Sequence, residues 1–130
     1  MVPERQLDIL SSIKGFASFE DRLKGESYYP LMASGVDILQ INVGKLCNLS
    51  CRHCHVSAGP HRTEMMSREI FEYCLAALKE NVGITTVDIT GGAPEMNPHL
   101  EWFIQEAFKL GRRLIVRSNL VILLDNKYKR

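Results

Sequence analysis

What the sequence lacks narrows its class first. No apolar run approaches the roughly 18 residues that span a bilayer, and the opening residues, MVPERQLDIL, contain no apolar signal core. An excess of one charge is missing as well: 16 Lys and Arg stand against 15 Asp and Glu, a formal net charge of +1. That balance gives no electrostatic footprint for nucleic acid or for an anionic membrane surface, so neither is expected as a partner. Cysteine is scarce, four in 130 residues, and three of the four fall within residues 47–54. A secreted disulfide framework does not cluster its cysteines in this way. The grouping reads as metal ligands in a reducing compartment, and a cytoplasmic location is expected. With 45% hydrophobic and 24% charged residues, the chain suits one soluble globular domain or a piece of one.

What is present is organised around LCNLSCRHCH, residues 46–55. Cys47, Cys51 and Cys54 have C-x3-C-x2-C spacing, and the fourth cysteine, Cys74, lies well away. Two readings follow from the residues. One is zinc, with His53, His55 or His61 as the fourth ligand. The other is a [4Fe-4S] cubane held at three corners, with one iron left open. Zinc sites usually pair two C-x2-C knuckles, and no second knuckle exists, so the spacing favours the cluster.

Residues 1–37 read as a helical lead-in that packs on the main domain. Leu7, Leu10, Ile13 and Phe16, or Phe19 and Leu23, recur at helical spacing, interrupted at Gly15 and Gly25. Tyr28-Tyr29-Pro30 forms a turn or an extended link. The core, residues 38–130, begins with ILQINV (38–43), a buried strand, and the cysteine loop follows Gly44 at once. The cysteines therefore sit at the C-terminal end of a strand, where parallel α/β sheets build their sites. Ser67 predicts a helix N-cap, with Met66 and Phe71 as a hydrophobic staple. Ile70, Phe71, Cys74, Leu75 and Leu78 form the helix's apolar face, which makes Cys74 a core residue, and Gly83 ends it. TTVDIT (85–90) is the second strand, with Asp88 on one of its faces, and Gly91-Gly92-Ala93-Pro94-Glu95 follows. Asn97 predicts the next N-cap, with Pro98 at the first helical position, Leu100, Phe103, Ile104 and Ala107 on the inner face, and Gly111 at the end. Residues 114–117 form a third strand ending at Ser118-Asn119. Apolar Leu120 to Leu124 and a polar tail from Asp125 complete the chain. The order is βαβαβ with parallel strands, and the cysteine loop, the glycine turn and Ser118-Asn119 share one edge. Neither Gly91 nor Gly92 has a side chain, so backbone there can approach a ligand closely.

These motifs resemble the radical S-adenosylmethionine (radical SAM) superfamily. The resemblance is carried by CNLSCRHC and by TGGAPE at the end of the next strand. Residues 39–60, LQINVGKLCNLSCRHCHVSAGP, with TGGAPEMNPHL and RSNLVILL, are similar to the arsenosugar-biosynthesis members. The resemblance implies the N-terminal part of a partial (βα)6 TIM-like barrel and makes the chain an N-terminal fragment, not competent to turn over alone. It implies a [4Fe-4S] cluster on Cys47, Cys51 and Cys54 whose free iron chelates S-adenosyl-L-methionine. An external one-electron donor such as a flavodoxin or ferredoxin reduces the cluster, and the cofactor is cleaved to methionine and a 5′-deoxyadenosyl radical. It further implies adenosyl transfer to a methylated arsenic species as the small-molecule substrate. Gly91 and Gly92 supply backbone contacts to the cofactor's methionine. Ala93 stands where the family often has Glu, and Glu95 is the nearby acid left to replace it. His53 holds the position beside the adenine, or is a solvent-facing loop residue. Ser118 and Asn119 contact the cofactor's sugar or carboxylate, or form a strand-end turn. His61 and Arg62 are substrate-side groups or solvated loop residues.

Overall fold

The computed structural model describes residues 3–13, 15, 17–27 and 29–128. The chain divides into two compact units, Met1–Ser34 and Gly35–Arg130. The first carries helix α1 (Pro3–Ser12) and the short helix α2 (Phe19–Leu23). Ser18 starts α2, its hydroxyl accepting from the Asp21 N–H at 3.0 Å. Tyr29 donates to Glu20 at 2.9 Å, which ties the end of this unit back to α2. Phe16 and Tyr28, both part of the helical and turn expectations, lie outside the described residues, as does the Leu7 side chain.

The second unit contains β1 (Ile38–Asn42), α3 (Arg68–Glu80), β2 (Thr86–Thr90), α4 (Leu100–Lys109) and β3 (Arg113–Val116). The strands form one parallel sheet in the order β1-β2-β3, with Ile41 opposite Ile89 and Ile89 opposite Val116. Alternation along the strands separates two faces. Ile41, Val43, Val87 and Ile89 point to the side on which Phe71, Leu75 and Leu78 of α3 pack with Leu100, Phe103 and Ala107 of α4. The Phe71 and Phe103 rings meet at 4.8 Å between centroids. Burying each such side chain contributes about 1.5–3 kcal/mol, so this layer fixes the register. The opposite face carries Gln40, Asp88 and Arg117, joined in one hydrogen-bonded group.

Several expected details move. Ser67 does cap α3, its hydroxyl accepting from the Ile70 N–H, and Met66 packs against the main core. Ile70 is exposed, because the stripe Phe71–Cys74–Leu75–Leu78 already faces the sheet. Helix α3 ends before Gly83, at Asn81, whose side-chain amide and backbone N–H both donate to the Ala77 carbonyl. The Arg112 guanidinium, at the entry to β3, donates to the Leu78 and Val82 carbonyls at the same helix end. Asn97 does not cap α4 directly. A 3-10 turn, Pro94–Met96, comes first, Asn97 accepts from the His99 N–H at 2.9 Å, and Pro98 stays outside the helix. Residues after β3 do not extend the strand: Leu120 adopts a left-handed conformation (φ 59°) and Val121–Leu124 wind into a 3-10 helix, with Ile122 buried. No helix among the described residues is long and apolar enough to cross a membrane.

Candidate cluster and cofactor site

The cysteine loop is closed at its base before any metal is considered. Leu46 and Gly59 form a bridge, with the Cys47 N–H donating to the Gly59 carbonyl at 3.2 Å and the Gly59 N–H to the Lys45 carbonyl at 3.0 Å. Inside it, two successive tight turns carry the sulfurs, with the Cys54 N–H donating to the Cys51 carbonyl and the Ser57 N–H to the Cys54 carbonyl, both at 3.1 Å. Ser57, the last residue of the second, is left-handed (φ 51°). Cys47 is buried, Cys54 half-buried and Cys51 exposed. A small second core anchors the loop: Cys47 and Ala58 pack with Ala93 and Ile122, and Leu49, Cys54, Val56, Met96 and Tyr128 pack around them.

The glycine turn is the floor of this loop. The Gly92 N–H donates to the Gly44 carbonyl at 2.8 Å and the Ala93 N–H to the Leu46 carbonyl at 2.9 Å. A Cβ on Gly92 would lie 2.7 Å from the Leu46 carbonyl carbon and 2.9 Å from that of Lys45. Gly91 has φ +150°, and a Cβ there would meet the Gly44 carbonyl oxygen at 2.9 Å. The close backbone approach that these glycines permit is thus that of the cysteine loop itself. No described residue donates to the Gly91 or Gly92 carbonyl, so the turn's acceptors remain for a ligand while the Gly92 N–H is committed. Ala93 is 3% exposed and packs under the loop, so a carboxylate at this position would be driven into an apolar cluster.

The end of β3 joins the same construction. The Asn119 side-chain amide donates to the Asn48 side-chain oxygen at 2.8 Å and to Cys47 Sγ at 3.7 Å, while its oxygen accepts from the Ile122 N–H at 3.0 Å. Ser118 turns its hydroxyl to the Leu120 N–H. The three strand-end loops are therefore brought together by hydrogen bonds and not merely by sharing an edge. His53 is exposed, and no hydrogen bond to its side chain is made among the described residues. The His61 ring and the Ser50 hydroxyl both lie close to Gly59, and Arg62 pairs with Glu64, whose carboxyl the guanidinium holds down at about 2. Glu95 sits in the 3-10 turn with Oε2 buried and without a hydrogen-bond partner among the described residues. It lines a groove of about 650 Å3 shared with Leu100, Ile104, Leu123 and Tyr128, on the α4 side of the turn.

Cys74 packs against the main core, and burial raises its thiol above the usual range. That separates it from the three loop cysteines. Their donor set fits an iron–sulfur cluster: Cys47 Sγ accepts from the Leu49 N–H at 3.5 Å as well as from Asn119, and Cys54 Sγ accepts from the Ala58 N–H at 3.4 Å. Such N–H···S contacts stabilise thiolates and tune clusters. Among the described residues, no three His, Cys, Asp or Glu side chains gather about a single metal ion.

Sequence reasoning missed Asn42 and gave Asn97 another role, and both hold this edge. Asn97, 4% exposed, donates to the Val43 and Met66 carbonyls at 3.1 and 3.0 Å, tying β1, the α3 entry and the α4 entry together. The Asn42 side chain accepts from the Gly44 N–H as the cysteine loop begins. Asp88, buried on the polar sheet face, accepts from Gln40 at 2.8 Å and from Arg117 at 2.8 and 2.7 Å. The Arg117 guanidinium, then Gln40, hold its carboxyl at about 2.

Comparison with known proteins agrees with this geometry. A family profile described as the Radical SAM superfamily matches residues 41–130. A GTP 3′,8-cyclase of Aliarcobacter butzleri is 32% identical over 77 residues, covering 56% of this chain and 23% of that protein. A "Probable GTP 3′,8-cyclase" of Saccharolobus islandicus is 29% identical over 92 residues, 70% of this chain and 30% of that protein. The antilisterial bacteriocin subtilosin biosynthesis protein AlbA of Bacillus subtilis is 30% identical over 73 residues, 56% of this chain and 16% of that protein. The chain thus matches less than a third of the length of each of these relatives.

Proposed function

Because the chain belongs to the radical SAM superfamily, we propose that Cys47, Cys51 and Cys54 hold a [4Fe-4S] cluster with one iron open to S-adenosyl-L-methionine. The observation that carries the reading is the closed cysteine loop, with N–H groups on two of its sulfurs, seated on Gly91-Gly92 and tied to the end of β3. A cluster held there would supply the one electron for reductive cleavage of the cofactor to methionine and a 5′-deoxyadenosyl radical. This chain's residues bind and orient. The Gly91 and Gly92 carbonyls take the methionine ammonium, since neither accepts from a described residue and the Gly92 N–H already belongs to the loop. Glu95, in its groove beside α4, is not assigned to that contact. His53, exposed on the loop between two ligands, is placed beside the adenine, and Ser118 beside the sugar or carboxylate.

Both helices pack on one face of the sheet, which supports the start of a singly wound partial barrel, with the Gln40–Asp88–Arg117 face as its interior. The substrate approaches from that interior, and a flavodoxin or ferredoxin supplies the electron. The finer reading is adenosyl transfer to a methylated arsenic species, supported by LQINVGKLCNLSCRHCHVSAGP, TGGAPEMNPHL and RSNLVILL. Its test is anaerobic incubation of the reconstituted protein with S-adenosylmethionine, dithionite and dimethylarsinous acid, followed by mass spectrometry. An adenosylated arsenic product is expected. 5′-Deoxyadenosine without any arsenic adduct would refute the arsenic reading while leaving the cofactor chemistry in place.

A further inference from the structure

We propose that Asn119 is a positioning residue for the ligand Cys47, and that its side-chain N–H···S hydrogen bond raises the reduction potential of the cluster. The inference rests on the cluster assignment above and reaches past it, because Asn119 then serves the metal and not the cofactor's sugar. Three observations carry it. The Asn119 Nδ2 lies 3.7 Å from Cys47 Sγ and 2.8 Å from Asn48 Oδ1. The other end of the same amide accepts from the Ile122 N–H at 3.0 Å. A backbone N–H can only donate, so that contact fixes the amide's orientation and leaves Nδ2, not Oδ1, toward the sulfur. Both ends of the group are thereby engaged within the protein, and a contact to the sugar would have to displace one of them.

The three sulfurs are not equivalent. Cys47 Sγ receives a backbone N–H from Leu49 and the Asn119 amide; Cys54 Sγ receives the Ala58 N–H; Cys51 is exposed, and its sulfur accepts no hydrogen bond among the described residues. Reduction of the cluster from 2+ to 1+ adds one electron, taken from an external one-electron donor, and places more negative charge on the sulfurs. A donor aimed at a ligand sulfur stabilises the reduced form more than the oxidised one, so the midpoint rises. Because the amide comes from the end of β3 while Cys47 follows β1, the potential is coupled to the docking of the strand-end loops.

The test is a redox titration of the full chain, reconstituted anaerobically with iron and sulfide and followed by low-temperature EPR, with iron and sulfide counted per chain. Wild type, Asn119→Ala and Asn119→Asp are compared. Asn119→Asp keeps the shape and can still accept from Ile122, but it replaces the donor with a negative charge. The expected result is unchanged cluster content, a midpoint more negative in Asn119→Ala than in wild type, and one more negative still in Asn119→Asp. A full cluster with an unmoved midpoint in both variants overturns the inference alone. Loss of the cluster from both variants, with wild type loaded, also overturns it, because Asn119 would then be needed for assembly and not for potential. No cluster in wild type overturns the assignment on which it rests.

Discussion

Cys51 and Cys74 differ in what their sulfurs can do. Cys51 stands exposed on the loop, while Cys74 packs on the core with its thiol pushed up by burial. Cys51→Ala is expected to abolish cluster assembly, since two thiolates cannot hold the cubane at three corners. Cys74→Ala should keep full iron and sulfide and cost about 1 kcal/mol in a denaturant melt, the scale of a modest core change. Equal cluster loss in both variants would contradict this division. Asp88 gives a pH-dependent prediction at the same scale. Its carboxyl is held at about 2 in the folded chain by Arg117 and Gln40, against about 3.9 when unfolded. A depressed folded value means that the pair's contribution is fully present above the unfolded value and is lost as pH falls from about 4 through about 2. Thermal melts from pH 5 to pH 2 should show a steeper acid loss in wild type than in Asp88→Asn. Parallel acid limbs would show that Asp88 contributes nothing.

Elements meet at the site through backbone, so a single methyl group in the wrong place separates them. Gly92→Ala would push a Cβ into the Leu46 and Lys45 backbone, and rigid neighbours of that kind make overpacking cost at least about 1–3 kcal/mol. Both melting temperature and cluster content should fall, and a variant that is stable and fully loaded would show that the loop does not sit on the turn. Asn97→Ala removes a side chain that donates to two carbonyls and accepts one N–H. Leaving such groups unpaired inside the protein predicts a loss of about 2 kcal/mol or more, read from chemical denaturation. At this scale the sequence was legible where periodicity or a cap spoke: all three strands, the Ser67 start of α3 and the inner face of α4 come from spacing alone. It was not legible where local and tertiary choices compete. Gly83 looked like the end of α3, yet Asn81 closes the helix by bonding the Ala77 carbonyl. Asn97 looked like the cap of α4, yet its amide is drawn to Val43 and Met66, elements 54 and 31 residues away in sequence. The cysteine spacing carries the proposal of Cys47, Cys51 and Cys54 as cluster ligands. Only coordinates place Ala93 under the loop and the Asn119 amide on Cys47, because both depend on how three strand ends pack.

Taken as a whole, the second unit is a three-stranded parallel sheet with a helical layer on one side, a polar face on the other, and its chemistry gathered along one edge. The two cores divide the labour: the larger sets the sheet and helices, and the smaller holds the cysteine loop to the glycine turn and to the segment after β3. The central claim is that this edge presents an iron with an open coordination position. Anaerobic reconstitution with iron and sulfide, then low-temperature EPR of the reduced protein with and without S-adenosylmethionine, tests it most directly. The account predicts a reduced [4Fe-4S] signal that changes when the cofactor is added. A protein that takes up one zinc and forms no cluster, or a cluster signal indifferent to the cofactor, would contradict it.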